Sequence, residues 1–309
     1  MKLAARIGAA LCLLFAAFAT PGCAADQARP YRDEAISADV RILPRAPVEG
    51  EAFGGLSGIE WDPVGDRLIA VSDRGAVFAL PFDIAAPIER VGRLQAPKEI
   101  IDAEAIRRAP DGGWLVVFEV GDLLAGYAPG VDSLSGPPKW TRDLAKLGRI
   151  PFNGGIESLT PLDGERWLIL TETGAGDRRK GWILHGANAT AFEYEAPDGF
   201  QPTDAATLPN GDVLVLERRF NGIVPPFFSA KLARIDAKSL KGDEAFIQAA
   251  ERVDLSGWLP SENWEGLAIV RRAGVFDLWF VSDDNFIGIQ RSLLARIPVH
   301  ALFPGMAED

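Results

Sequence analysis

Ten positions along the chain carry residues suited to holding a hard cation, and they fall into two sets that alternate strictly. The first set opens five similar segments, GLSGI (55–59), DAEAI (102–106), GIESL (155–159), TDAAT (203–207) and WEGLA (264–268), aligned on Ser57, Glu104, Glu157, Asp204 and Glu265. The second set closes five apolar runs, RLIAVSD (67–73), WLVVFE (114–119), WLILTE (167–172), VLVLE (213–217) and LWFVSD (278–283), at Asp73, Glu119, Glu172, Glu217 and Asp283. Nine of the ten are carboxylates. Carboxylates gathered at one place raise one another's pKa, and a bound cation relieves this. Calcium suits best, because it accepts about six to eight oxygen ligands in flexible geometry. Glu104, Glu157, Asp204, Glu265, Asp73, Glu217 and Asp283 are the candidate ligands, with Asp284 and Asn285 adding oxygens. Glu119 and Glu172 are the candidates to take a proton. Arg74 and Arg218, each directly after an acid of the second set, are placed to meet an anionic substrate, since a guanidinium fork matches phosphate oxygens. The competing roles are structural: acids at strand ends also bond backbone N–H groups of a neighbouring unit, and the arginines also neutralise the acids beside them.

Other chemistries are narrowly bounded. His185 and His300 are the only histidines, which excludes a multi-His metal site and leaves little room for a Ser-His-Asp triad. Cys12 and Cys23 are the only cysteines, so no thiolate nucleophile or zinc cluster exists beyond residue 23. Ser57 lies in GGLSGI, which lacks the spacing of a nucleophile elbow. The stretch FNGIVPPFF (220–228) reads as an apolar loop, either a lid on the substrate side or a packed segment.

The elements that must position these acids follow from the spacing. If each pair of segments forms a β-hairpin, the turn lies midway between the two marked residues. The midpoints fall at Gly65, at Asp111–Gly112, beside Gly164, at Asn210–Gly211 and at Gly274. Glycine, Asn and Asp are the residues that tolerate tight hairpin turns. The apolar runs are short, rich in Val, Ile, Leu, Phe and Trp, and bounded by turn residues, as strands are. A repeat of roughly 40–50 residues with about four short strands per unit is the pattern of a β-propeller. AVFAL (76–80), ERVGRL (89–94), GWILHG (181–186), AFEYEA (191–196) and LLARIPV (293–299) are further strands, and AISADVRIL (35–43) joins the last unit to close the ring. Residues 238–253 hold a short helix or an insertion. The expectation is an all-β chain, a single β-propeller over residues 37–303 with five motif-bearing blades counted and room for a sixth, degenerate one. In that architecture the innermost strand of each blade lines a central channel. The start of that strand and the end of the second therefore meet at one mouth, and both sets of acids converge there.

The chain has 309 residues, 43 Asp and Glu against 32 Lys and Arg, and a formal net charge of −11. This acidity argues against nucleic acid, whose phosphates need clustered Lys and Arg. Residues 1–25 join a basic start (Lys2, Arg6) to an apolar run from Ile7 to Ala19 and then to small residues, the pattern of a signal peptide. The run is too short to span a bilayer comfortably. Cleavage near Ala24 or Ala25 is the favoured reading, with Gly22–Cys23 as the alternative junction that would place a lipid anchor on Cys23. The mature chain is then periplasmic or otherwise exported, possesses at most one cysteine, and has no other run long enough for a transmembrane helix.

Several of these segments together resemble a known family. GLSGIEWD (55–62) with SDRG (72–75), GIESLT (155–160), LERRF (216–220), NWEGLA (263–268) and VSDDNF (281–286) are similar to the phytase-like family, described as having an esterase-like activity of phytase. The resemblance runs from about residue 50 to 299. It implies a β-propeller and a hydrolase; β-propeller phytases bind several calcium ions at an acidic mouth, where a metal-bound water attacks phosphorus. Lys98 and Lys180 are the lysines that the pattern places near the mouth. The leading functional expectation is a calcium-dependent hydrolase of a phosphoester or related ester, a lactone included. The rival is a non-catalytic envelope propeller that binds a ligand or protein at the same mouth.

Overall fold

The computed structural model describes residues 28–83, 86–95, 101–147, 155–163, 165–197, 199–222, 227–242 and 244–306. Two N-terminal strands, β1 (Arg29–Pro30) and β2 (Asp39–Ile42), precede the repeats. Blade 1 is β3 (Leu56–Asp62), β4 (Arg67–Ser72), β5 (Ala76–Leu80) and β6 (Glu89–Arg93). Blade 2 is β7 (Ala103–Arg108), β8 (Trp114–Phe118), β9 (Leu123–Tyr127) and β10 (Trp140–Asp143). Blade 3 is β11 (Ile156–Pro161), β12 (Arg166–Ala175), β13 (Arg178–His185) and β14 (Asn188–Glu195). Blade 4 holds β15 (Gln201–Thr207), β16 (Val213–Phe220) and β17 (Phe228–Ile235); the chain then lends β18 (Phe246–Ile247) to the outer edge of blade 3 before β19 (Glu251–Asp254) completes blade 4. Blade 5 is β20 (Asn263–Arg272), β21 (Val275–Asp283) and β22 (Leu293–Pro298), followed by the short helix α1 (Val299–Leu302).

The sheet order β1-β2-β22-β21-β20 closes the ring, because the N-terminal strand β2 pairs antiparallel with the last strand β22. Among the described residues five blades form and no sixth: residues 35–43 supply an outer strand instead. The stretch 238–253 contains most of one 3₁₀ turn, Ala237–Leu240, and the two short strands β18 and β19.

Five hydrophobic clusters form among the described residues, one between each neighbouring pair of blades. Leu56, Leu68 and Phe78 pack on Trp279 and Val281 between blades 1 and 5. Val71 and Val77 meet Ile106 and Trp114 between blades 1 and 2. Val117 and Leu124 meet Leu159 and Trp182 in the next gap. Leu170 and Tyr194 meet Val215, and Leu216 and Leu232 meet Phe280. Each blade is thus buried on both faces, which is why WLVVF and LWFV read as continuous apolar runs rather than alternating ones. The hairpins turn where the midpoints place them. Arg272 pairs with Val275 across Ala273–Gly274, both at positive φ (50° and 83°), the backbone of a two-residue hairpin loop. Gly164 lies outside the described residues.

Candidate active site at the acidic mouth

Each innermost strand carries a β-bulge near its start. The pairing register shifts between Leu56 and Gly58, Ala103 and Ala105, Ile156 and Ser158, Pro202 and Asp204, and Trp264 and Gly266. The bulged residues are therefore Ser57, Glu104, Glu157, Thr203 and Glu265. A bulge turns a side chain off the pleat and is frequent beside functional sites. Hydrogen bonds support the fourth assignment. Ser57 Oγ donates to Val71 O and to Ala103 O of the next blade, and Thr203 Oγ1 donates to Leu216 O and to Trp264 O of the next blade. Ser57 is occupied as an inter-blade tie.

The same register fixes the second ring. The amides of Asp73, Glu119 and Glu172 donate to the carbonyls of Gly55, Asp102 and Gly155, and Asp283 pairs with Asn263. In blade 4 the residue at this level is Arg218, paired with Gln201. The mouth therefore holds Glu104, Glu157, Glu265, Asp73, Glu119, Glu172 and Asp283, with two hydroxyls and one guanidinium in the remaining places.

Asp204 and Glu217 lie elsewhere, each on the opposite side of its strand from the mouth position. Asp204 is fully buried and accepts from the guanidinium of Arg107, from Leu267 N at 2.7 Å and from Ala205 N at 2.8 Å. Burial raises its pKa to about 6, against the pull of Arg107. Arg107 crosses the channel, donating to the carbonyls of Ile59, Ala205 and Leu267, on the inner strands of three other blades. It ties four inner strands together three residues beyond Glu104, below the level of the mouth acids. Glu217 is buried between Tyr194, whose hydroxyl donates to it at 2.5 Å, and Arg252, whose Nε lies 3.2 Å from Oε2. It ties blade 3 to blade 4.

Within the mouth the charges are divided. On one side, single oxygens of Asp102, Glu104 and Glu119 lie within 4.8 Å of one another. The charge of Glu104 acts in turn on Glu157. Burial, then Asp102, Glu265 and Glu119, holds the pKa of Glu104 well above the carboxylate range. Burial, then Glu104, Glu172 and Glu265, does the same to Glu157. Burial and then Glu119 and Asp73 lift Asp102 to about 6. On the other side Arg218 donates to Glu172 Oε1 at 2.8 Å, to Glu265 Oε1 and to Asn263 Oδ1. Glu265 still rises to about 8 through burial, with Arg218 opposing and Asp283 adding to the shift.

A sequence profile of the Phytase-like family, described as esterase-like activity of phytase, matches residues 51–286. The chain belongs to this family. The matched span takes in all five bulges and every mouth acid from Asp73 to Asp283. No curated protein sequence matches the chain. Among solved structures, a gluconolactonase from Xanthomonas campestris aligns over 90% of this chain and 98% of its own, at 10% identity and a TM-score of 0.47. A luciferin-regenerating enzyme aligns over 84% and 95%, at 10% identity and 0.48. A streptogramin B lyase aligns over 74% and 76%, at 13% identity and 0.39.

The phytase-like signature SDRG places Arg74 exposed at the rim, its guanidinium 3.6 Å from the centre of the Phe286 ring. In VSDDNF the acids are held by backbone. Asp283 Oδ1 accepts from Asn285 N, and Asp284 Oδ1 accepts from Gly55 N and Phe286 N. Asp283 rises to about 7 through burial and the nearby Asp73 and Asp284. Asp102 is the mouth residue that the two-set alignment misses. It stands two positions before Glu104, and its carbonyl accepts from the amide of Glu119. His185 and His300 are exposed. Residues 1–25, Lys98 and residues 223–226 of the apolar stretch lie outside the described residues, and among the described residues no helix is long and apolar enough to cross a membrane.

Proposed function

We propose that the mouth is the active site of a calcium-dependent hydrolase acting on a phosphoester or related ester. The observation that carries this reading is the Asp102–Glu104–Glu119 cluster with Glu157 beside it, carboxylates whose mutual repulsion a divalent cation would relieve. The donors fit calcium: all are carboxylate oxygens on half-buried side chains, with no histidine or cysteine among them. Asp102, Glu104, Glu119 and Glu157 would hold the ion. When bound, calcium supplies positive charge that polarises an ester or phosphoryl oxygen and lowers the pKa of water.

The chain's own residues supply the rest. Arg218 fixes Glu172 through Oε1, leaving Oε2 as the atom to take a proton from the attacking water. Arg218, held by Glu172 and Glu265 and partly exposed, supplies positive charge toward an anionic oxygen of the substrate. Arg74 stands exposed at the rim, stacked on Phe286, as a second guanidinium for the substrate. The basic, apolar and small-residue pattern of residues 1–25 supports export, with lipid attachment at Cys23 as the alternative to release.

One observation favours the non-catalytic binding reading: Arg218 already satisfies Glu172 and Glu265, as a structural cation would. Turnover separates the two. Hydrolysis of phosphoester or ester substrates that requires calcium and is lost in Glu157→Gln supports the enzyme. Calcium binding with no turnover across such substrates supports the binding platform.

A further inference from the structure

Strongly exposed hydrophobic side chains stand at the second-to-third-strand connections of two blades and are absent from the described ones of blades 2 and 3. In this propeller the loops from second to third strand surround the mouth. Those of blades 2 and 3 run through Glu119–Val120–Gly121–Asp122 and Ala175–Gly176–Asp177. Those of blades 4 and 5 carry Phe220, Ile287 and Ile289, which are 54%, 40% and 68% exposed. These are three of the five strongly exposed large hydrophobic residues in the described chain. Single exposed hydrophobics are ordinary on a protein surface; a group of them on one side of a site is not.

Phe220 and the blade 5 loop each connect to mouth residues. The Phe228 ring lies 5.8 Å from the Arg218 guanidinium and 5.3 Å from the Phe220 ring, so the path runs from charge to buried ring to exposed ring. The blade 5 loop begins at Asp283 and Asp284 and is braced against collapse. Ile287 N donates to Asp284 O, and Arg45 donates to Gly288 O at 3.0 Å and Gln290 O at 2.6 Å. Asn285 and Phe286 are both at positive φ (48° and 54°), a conformation costly for such residues that the two aspartates hold in place. Ile287 and Ile289 are thus held outward by a fixed loop.

Resting on the proposed hydrolase reading, we infer that the substrate is amphiphilic: its hydrolysable group sits over the Asp102–Glu104–Glu119 cluster and an apolar chain or ring lies across Phe220, Ile287 and Ile289. Arg74 and Arg45 also meet the blade 5 loop, one stacked on Phe286 and the other bonded to the carbonyls of Gly288 and Gln290, so that side joins a few positive charges to aliphatic and aromatic surface.

The test uses two non-hydrolysable probes, methylphosphonate and octylphosphonate, titrated by calorimetry into the full mature protein at saturating calcium. The structure predicts octylphosphonate to bind at least about tenfold more tightly, since each buried methylene adds to apolar transfer. In Phe220→Ser/Ile289→Ser that ratio should fall to about threefold or less, and each single variant should give an intermediate value. Both positions are exposed, so the variants are expected to fold, and retained calcium binding checks this. Equal binding of the two probes by the unaltered protein, or an unchanged ratio in the double variant, would overturn the inference. Hydrolysis of octyl phosphate, followed in parallel, tests the underlying reading separately. A chain-length preference without turnover removes the hydrolase and keeps the amphiphilic ligand, whereas turnover without the preference does the reverse.

Discussion

Arg218 and Glu172 occupy equivalent places in neighbouring blades, and they meet at 2.8 Å. One blade has replaced the acid of the second ring by a guanidinium that pairs with the acid of the blade beside it. Arg218 therefore acts as a built-in counter-ion for one half of the mouth; in the proposed function a cation would serve the half around Asp102, Glu104 and Glu119.

Removing that guanidinium should unbalance the mouth. Arg218→Leu strands Glu172 and Glu265, both largely buried, and should destabilise the calcium-free protein by about 3 kcal/mol. The loss should shrink when calcium is added, and calcium affinity should rise, because a positive charge has left the site. Urea unfolding with chelator and with calcium measures both effects; an equal loss in the two conditions would show that Arg218 and the ion do not share a site.

Arg107 should act as the bolt of the ring. Arg107→Met leaves Asp204 buried and unpaired and should cost about 3–5 kcal/mol. Adding Asp204→Asn to that variant should recover part of the loss, giving a coupling of about 2 kcal/mol in a double-mutant cycle. Additive losses would mean that the guanidinium is held by the carbonyls of Ile59, Ala205 and Leu267 rather than by the carboxylate.

Asp204→Asn and Glu217→Gln should both lower the melting temperature and leave calcium affinity within about twofold, because neither carboxylate belongs to the mouth. Calorimetry on the two variants checks this. A loss of affinity comparable to that of Glu104→Gln would restore them as ligands.

Stability without a divalent cation should fall as pH rises. Burial raises Asp102, Asp283 and Glu265 to about 6, 7 and 8, so the folded chain keeps protons that the unfolded chain has released. Where the folded state binds more protons, raising the pH destabilises it, and the window runs from about pH 4 to about pH 8. The half-buried Asp236 and the exposed Asp254, whose pKa values are lowered, act in the opposite sense but only as pH falls through the acid range. In chelator the melting temperature should drop by several degrees between about pH 5 and about pH 8, and calcium should remove most of the drop. A melting temperature that rises across this window in chelator would contradict the burial of these acids.

The architecture was legible in the sequence because each blade is buried on both faces and turns on glycine, so strands stand out as short apolar runs with turns at fixed midpoints. The ring closure by residues 35–43 was legible for the same reason. The residues that stand at the mouth were legible in blades 1, 2, 3 and 5, whereas in blade 4 they are Thr203 and Arg218, one position from the acids. The midpoint of 204 and 217 is the same as that of 203 and 218, so the turn test could not see the error. The separation could have: 203 to 218 repeats the 15-residue spacing found in blades 2 and 3. An acid stands at 204 and another at 217, and as carboxylates they match the pattern of the other blades better than Thr203 and Arg218 do. Their true partners, Arg107 across the channel and Tyr194 in another blade, come from tertiary packing that no local spacing encodes.

The central claim is that the acids of blades 2 and 3 form a calcium site, and calorimetric titration of calcium into the mature protein and into Glu157→Gln tests it most directly. Such a site should bind calcium in the micromolar range and raise the melting temperature, with a loss of at least about tenfold in affinity in the variant. No binding at millimolar calcium, or equal binding by the two proteins, would contradict it.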